Sequence, residues 1–230
     1  MMRLDKYLSS VTDLSRAQAK KLLRQGSVTV SDTVVKDPSL AVDEGAAVAI
    51  DGELLRKAGH RYFMLHKPQG YISATKDRTH ITALELLDED NMDQLHIAGR
   101  LDIDTTGLLL ISDDGVWSHR VTSPRSGCKK TYYIETFDPI SPEQVQQLEQ
   151  GIKLEGEKRP TLPAVVELVD DHTARLTISE GKYHQVKRMF AAVGNHVELL
   201  HRERIGSIAL DQDLLEGEYR ALTAEEVASI

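Results

Sequence analysis

Apolar and polar positions alternate along this chain in two rhythms, and the rhythm changes with position. Between Ser15 and Gly26, Ala19, Leu22 and Leu23 fall at i, i+3 and i+4, the spacing of one helix face. Ser15 offers an N-cap and Gly26 a left-handed stop, so the spacing predicts a helix of about ten residues between them. Short β-branched runs follow at 28–30, 34–35 and 46–50, with a turn at Ser31-Asp32, and these predict strands. The stretch 51–60 is polar and without pattern. It reads as a linker that divides the chain into domains 1–58 and 59–230.

Beyond the linker, strands are predicted at 62–65, 107–112, 131–137, 164–169, 175–179 and 197–200. One helix has Ser141 as N-cap, Pro142 at its first position and Gly151 after its end. A second spans 182–193 before Gly194, with Tyr183, Val186, Phe190 and Val193 as its core stripe. A short third begins at Thr223, with Glu226 as its capping-box partner. Strands and helices do not alternate regularly, which excludes a doubly wound parallel sheet and predicts an α+β domain.

With 40% hydrophobic and 28% charged residues in 230, the composition is that of a globular protein and excludes a disordered or fibrous chain. No apolar run is long enough for a membrane span, and Met1–Lys6 lacks the apolar core of a signal peptide, so a cytoplasmic protein with no membrane contact is expected. Cys128 stands alone, which excludes an internal disulfide and a multi-cysteine zinc site. The net charge of −8 argues against phosphate binding until its distribution is considered. Residues 1–30 carry six Lys or Arg against two Asp or Glu, and Arg16, Lys20 and Arg24 recur every four residues along one side of the predicted helix. Arg120, Arg125, Lys129 and Lys130 form a second basic stretch, and Lys182, Lys187, Arg188 and Arg202 fall in a third. Basic surfaces on an acidic body are the expectation.

The segment Ala98–Gly115 sets an Arg, two Asp and two Thr between glycines just before the apolar run Leu108–Ile111. Such a loop holds a side chain rigidly beside a buried strand. Its residue types leave two readings open. Asp102 and Asp104 are paired carboxylates for glycosidic chemistry or for Mg²⁺ in a nuclease, or the Asp and Thr side chains cap turns. A third reading, one aspartate as a catalyst of another kind, rests on resemblance. His119, His184 and His201 have no metal-ligand spacing and read as packing or RNA-contact residues.

Further motifs favour the third reading. Gly99-Arg100-Leu101-Asp102 followed by Thr106-Gly107-Leu108-Leu109 resembles the signature loop of the RsuA and RluA branches of the pseudouridine synthases. His66-Lys67-Pro68-Gln69-Gly70-Tyr71 resembles the turn that opens their catalytic domain. Lys130-Thr131-Tyr132 resembles the strand that supplies their tyrosine, and Glu180–Phe190 the motif that supplies their basic residue. Arg3–Leu8 and Ser15–Val30 resemble the S4 RNA-binding domain. Within the superfamily, Asp102–Gly107, Thr122–Arg125 and His201–Gly206 are most similar to the RsuA family, which acts on small-subunit (16S) ribosomal RNA.

That resemblance implies an S4-like domain followed by a catalytic domain with a mixed, largely antiparallel sheet, in two sub-lobes near 61–137 and 138–230. It implies Asp102 as the catalytic carboxylate, Tyr132 stacked on the uracil and Lys187 paired with Asp102, with Asp104 only shaping the loop. Arg100 would hold the flipped nucleotide, and Arg3, Arg16, Lys20, Arg24, Lys67, Arg125, Lys130 and Arg188 would contact RNA. The implied reaction needs no cofactor and no metal. The implied partner is small-subunit ribosomal RNA, free or in a partly assembled particle, bound by a monomer. A large-subunit (23S) enzyme of the same family and a non-catalytic S4-type assembly factor are the alternatives.

Overall fold

The computed structural model describes residues 1–12, 14–43, 45–55 and 59–230, which fall into two compact units, Met1–Gly59 and His60–Ile230. In the first unit, β1 (Met2–Arg3) leads into α1 (Leu4–Val11), and α2 (Arg16–Gln25) follows. Ser15 and Gln18 close a reciprocal capping box on α2, and Gly26 ends it in the left-handed region. Strands β2 (Val28–Val30), β3 (Thr33–Val34), β4 (Ala41–Val42), β5 (Val48–Ile50) and β6 (Glu53–Leu55) complete the unit, with a sheet in the order β3-β2-β5-β6 and a separate β1-β4 pair. Leu4, Leu8, Ala19, Leu23, Val28 and Val48 are its core.

The linker reading of 51–60 needs correction. Residues 53–55 form β6, which pairs antiparallel with β5 across Asp51-Gly52. Both turn residues have positive φ, the Asp-Gly hairpin turn whose twist matches its strands. Residues 56–58 lie outside the described residues.

The second unit is built on one sheet. Its strands are β7 (Tyr62–Lys67), β8 (His96–Ala98), β9 (Thr106–Ser112), β10 (Lys130–Thr136), β11 (Val165–Leu168), β12 (Thr173–Ile178), β13 (Val197–Ile205), β14 (Ile208–Ala209) and β15 (Tyr219–Ala221), and its main path runs β11-β12-β10-β13-β9-β7-β15. Stretches 61–137 and 138–230 both contribute strands to that path. Every pairing in it is antiparallel except β13 with β9, a short parallel junction of His201 with Thr106 and Arg202 with Gly107. Leu109 and Ile111 point to one core and Leu108 and Leu110 to another, which is why β9 reads as an unbroken apolar run.

Helix α5 (Gln185–Ala192) packs Val186, Met189 and Phe190 into the first of these cores, beside α4 (Pro142–Gln150). Helix α3 (Gly115–Thr122) packs Trp117 and Val121 into the second, next to α6 (Ala224–Ala228), where the Trp117 indole donates to the Val227 carbonyl. The expected helix start at 182 is corrected to Gln185. His184 takes a left-handed conformation (φ 45°) that breaks the helical path, so Tyr183 is 74% exposed and outside the core stripe. Among the described residues no helix is long and apolar enough to cross a membrane.

Candidate active site

Where β13 and β9 cross, only a glycine fits. A Cβ on Gly107 would lie 2.4 Å from the Arg202 carbonyl oxygen, and its φ of +105° is outside the range of ordinary side chains. This close crossing delivers the loop 99–105, which enters β9 from β8, to the edge of the parallel junction.

Three side chains pin that loop by its backbone. Arg202, fully buried on β13, donates from Nε to Leu108 O at 2.8 Å, from Nη2 to Gly99 O at 2.7 Å and from Nη1 to Arg100 O at 3.3 Å. Its Nη1 also lies 3.5 Å from the Tyr132 hydroxyl. Lys67, equally buried, donates from Nζ to Thr105 O at 2.8 Å and Pro68 O at 3.0 Å. Burial pulls its ammonium down to a pKa of about 8, against the pull of the Asp104 and Asp102 charges. The Ser73 hydroxyl donates to Leu101 O at 2.8 Å and accepts from Leu101 N at 2.9 Å. The buried cations are thus satisfied by carbonyls, a use of Arg and Lys that costs no carboxylate.

What the loop presents is a carboxylate in a cavity. A cavity of about 930 Å³ is lined by Asp102, Tyr132, Glu180, His184, Lys187 and Arg202 among others. The Asp102 side chain is 28% exposed, and His184 Nε2 is 3.4 Å from its Oδ1. Tyr132 is nearly buried on β10, while Tyr133 faces the other side of the strand. Arg100 is exposed at the cavity lip.

Lys187 does not make the pair expected of it. Its Nζ contacts both oxygens of Asp104 at 2.6 Å, and that ion pair holds the Asp104 carboxyl below the usual carboxylate range. Among the described residues the partner of Asp102 is His184 instead, brought there by the left-handed turn before α5. Tyr183 stacks on that imidazole, ring centroids 3.8 Å apart.

Other basic residues also divide. Lys67 is a structural pin rather than an RNA contact. Lys130 is buried as well: its Nζ donates to Val121 O and Cys128 O, and desolvation lowers its pKa. Arg188 bonds Glu157 and the Tyr183 carbonyl, so it braces the turn before α5. Arg125 and Arg24 are exposed, and no ion pair holds either among the described residues. Arg3, Arg16 and Lys20 are exposed or half-exposed and converge on Asp5. In the sequence Arg202 carries no role of its own: it falls only in the third basic stretch and in the His201–Gly206 motif. Among the described residues no cluster of His, Cys, Asp or Glu is arranged to hold a metal.

Comparison with known proteins agrees with this geometry. Residues 61–192 match the RNA pseudouridylate synthase family, and residues 2–48 match the S4 domain. The chain is similar to ribosomal small subunit pseudouridine synthase A of Vibrio cholerae, 54% identical over 100% of this chain and 99% of the relative. It is 53% identical to the protein of that name from Escherichia coli K12, over the full length of both. A solved structure described as a pseudouridylate synthase superposes with a TM-score of 0.72 at 46% identity, covering 100% of this chain and 99% of that one.

Proposed function

We propose that this chain, which belongs to the RNA pseudouridylate synthase family, converts one uridine of small-subunit (16S) ribosomal RNA to pseudouridine with Asp102 as the reacting carboxylate. The observation that carries the assignment of Asp102 is the loop 99–105: three side chains fix its backbone while the Asp102 side chain stays open to a large cavity.

The reaction is an isomerisation. The N1–C1′ bond of uridine breaks, the uracil turns, C5 joins C1′, the proton on C5 leaves and N1 ends protonated. Atoms balance without an external reagent. The target base must leave its stack, at a cost of a few kcal/mol. Arg100, exposed at the lip, is positioned to hold the displaced nucleotide by its phosphate. Tyr132 offers a ring on which the uracil stacks.

A nucleobase entering the cavity strips water from the Asp102 carboxylate, which disfavours its charged form. His184 is the group in contact to offset that loss. Lys187 is held by Asp104 at the cavity edge and leaves the oxygens of Asp102 unoccupied. Binding is divided between the units: Arg3, Arg16, Lys20 and Arg24 give the first a basic face for phosphates, and Arg125 adds a contact on the second.

The substrate assignment is tested by mapping pseudouridines in both ribosomal RNAs from cells with and without this protein. One small-subunit pseudouridine should disappear. Loss of a large-subunit pseudouridine, or of none, would overturn the assignment.

A further inference from the structure

The first unit contains a carboxylate for which the reaction has no use. The side chain of Asp5, in the first turn of α1, is 0% exposed, yet what covers it is charged. Arg3 Nε lies 3.2 Å from Oδ1, Arg16 Nη2 3.1 Å from both oxygens, and Lys20 Nζ 3.8 Å from Oδ2. Those cations are themselves 51%, 55% and 42% exposed. The carboxylate is therefore roofed by positive groups whose outer sides face solvent.

Helix stability alone argues against this arrangement. Arg16 is the first helical residue of α2, and the first turn of that helix has no acidic residue. A cation there meets the positive end of the helix dipole, where an Asp or Glu of α2 itself would be the stabilising choice. The carboxylate is supplied from α1 instead, and the three cations outnumber the carboxylates beside them, Asp5 beneath and Asp37 near Arg3, so the surface there stays positive.

We infer that Asp5 is a positioning residue for RNA binding: it gathers Arg3, Arg16 and Lys20 into one preformed site for RNA backbone phosphates and hides its own charge beneath them. Long cationic side chains lose rotamer freedom when they grasp a phosphate, and a carboxylate that holds them in place beforehand removes part of that cost. The inference rests on reading the first unit as RNA-binding, and it adds a residue whose own charge is of the wrong sign for the task.

That sign makes the test sharp. Binding of the full chain to transcribed 16S ribosomal RNA is measured by filter retention across a salt series. If charge count governs, Asp5→Asn removes a negative charge and tightens binding. If Asp5 organises the cations, Asp5→Asn weakens binding about tenfold, the cost of immobilising two or three side chains anew. The slope of log affinity on log salt also becomes shallower by about one, for one phosphate fewer.

The same substitution is then made in a chain already carrying Arg3→Ala, Arg16→Ala and Lys20→Ala. There its effect should vanish or turn to tightening. Equal weakening in that background would mean a purely structural role and would overturn the inference, as would tighter binding by Asp5→Asn alone. If Asp5→Asn fails to fold, Arg16→Lys gives the answer, because it keeps the charge but loses the planar guanidinium, which can hold Asp5 through one nitrogen while its others face solvent. It should weaken binding severalfold, and unchanged affinity would count against Asp5. Failure of the unsubstituted chain to bind this RNA would instead remove the RNA-binding reading of the first unit.

Discussion

The two units use cations around a carboxylate in opposite ways. In the first, Arg3, Arg16 and Lys20 are spent on the Asp5 carboxylate and cover it completely. In the second, two buried cations that pin the loop 99–105 from neighbouring strands, Arg202 and Lys67, are spent on main-chain carbonyls, and Asp102 keeps an open edge with His184 in contact. A carboxylate that organises its surroundings is covered. One that reacts is held by its backbone, so that its oxygens remain available to a ligand.

The hardest way to break the second arrangement is at Gly107. Gly107→Ala places a Cβ against the Arg202 carbonyl at a φ hostile to side chains, and should destabilise the second unit by about 3 kcal/mol or more in denaturant unfolding. Replacement without loss would mean that the parallel junction is looser than the structure has it.

Next in size is the pH response of Lys67. A lysine whose folded pKa falls to about 8 binds fewer protons folded than unfolded between there and its ordinary value of 10.5. Its burial as a cation therefore costs stability below pH 8, and that cost is relieved as pH rises through the window, by up to about 3 kcal/mol. Comparison of chemical denaturation of the parent chain with Lys67→Met between pH 7 and 10.5 isolates the rise, which the variant should lack.

Arg202→Met leaves two loop carbonyls, Gly99 and Arg100, and the Leu108 carbonyl of β9 without this donor. A stability loss of about 2 kcal/mol is expected, and a displaced loop should lower kcat about a hundredfold with KM little changed. Arg202→Lys, which restores the charge and part of the bonding, should recover some of that rate. A rate unaffected by Arg202→Met would show that the loop needs no such pin.

The smallest effect belongs to the ion pair at the open edge. Because Lys187 and Asp104 are partly exposed, Asp104→Asn should cost no more than about 1 kcal/mol. The Asp104 carboxyl is held low by Lys187, so the pair's contribution is fully present above the ordinary carboxylate range and fades as pH falls through it and below. Thermal unfolding of Asp104→Asn and its parent should converge under acid. A constant gap would assign the cost to something other than the ion pair.

Much of this was legible because it is local. Ser15 before α2, Ser141 with Pro142 on α4 and Thr223 with Glu226 on α6 carry their signals within a few residues, and the structure has all three caps. The Asp51-Gly52 hairpin was equally local but was obscured by the polar stretch around it. Helix α1 lacks a side-chain cap bond, so nothing marked its start. Strand β13 runs to Ile205, well past the predicted end at 200, since His201–Arg204 reads as a solvated charge run.

The buried cations were illegible for a different reason. The carbonyls that satisfy Arg202 lie on a strand and loop about a hundred positions earlier in the chain, and carbonyls carry no side-chain signature. Lys67 and Lys130 were expected to contact RNA through the motifs that hold them, and nothing in the sequence around them marks them as buried. Lys187 was matched to the wrong aspartate because Asp102 and Asp104 are two residues apart, and only the geometry of the turn before α5 tells them apart.

The central claim is that Asp102 reacts while the rest of the site positions the substrate. Its most direct measurement is tritium release from a 16S ribosomal RNA transcript labelled at C5 of uridine, with the parent chain and with Asp102→Asn at matched RNA occupancy. Release should accompany pseudouridine formation in the parent and fall by at least about a thousandfold in the variant, while binding of the transcript stays within a few-fold. Undiminished release by Asp102→Asn would contradict the account.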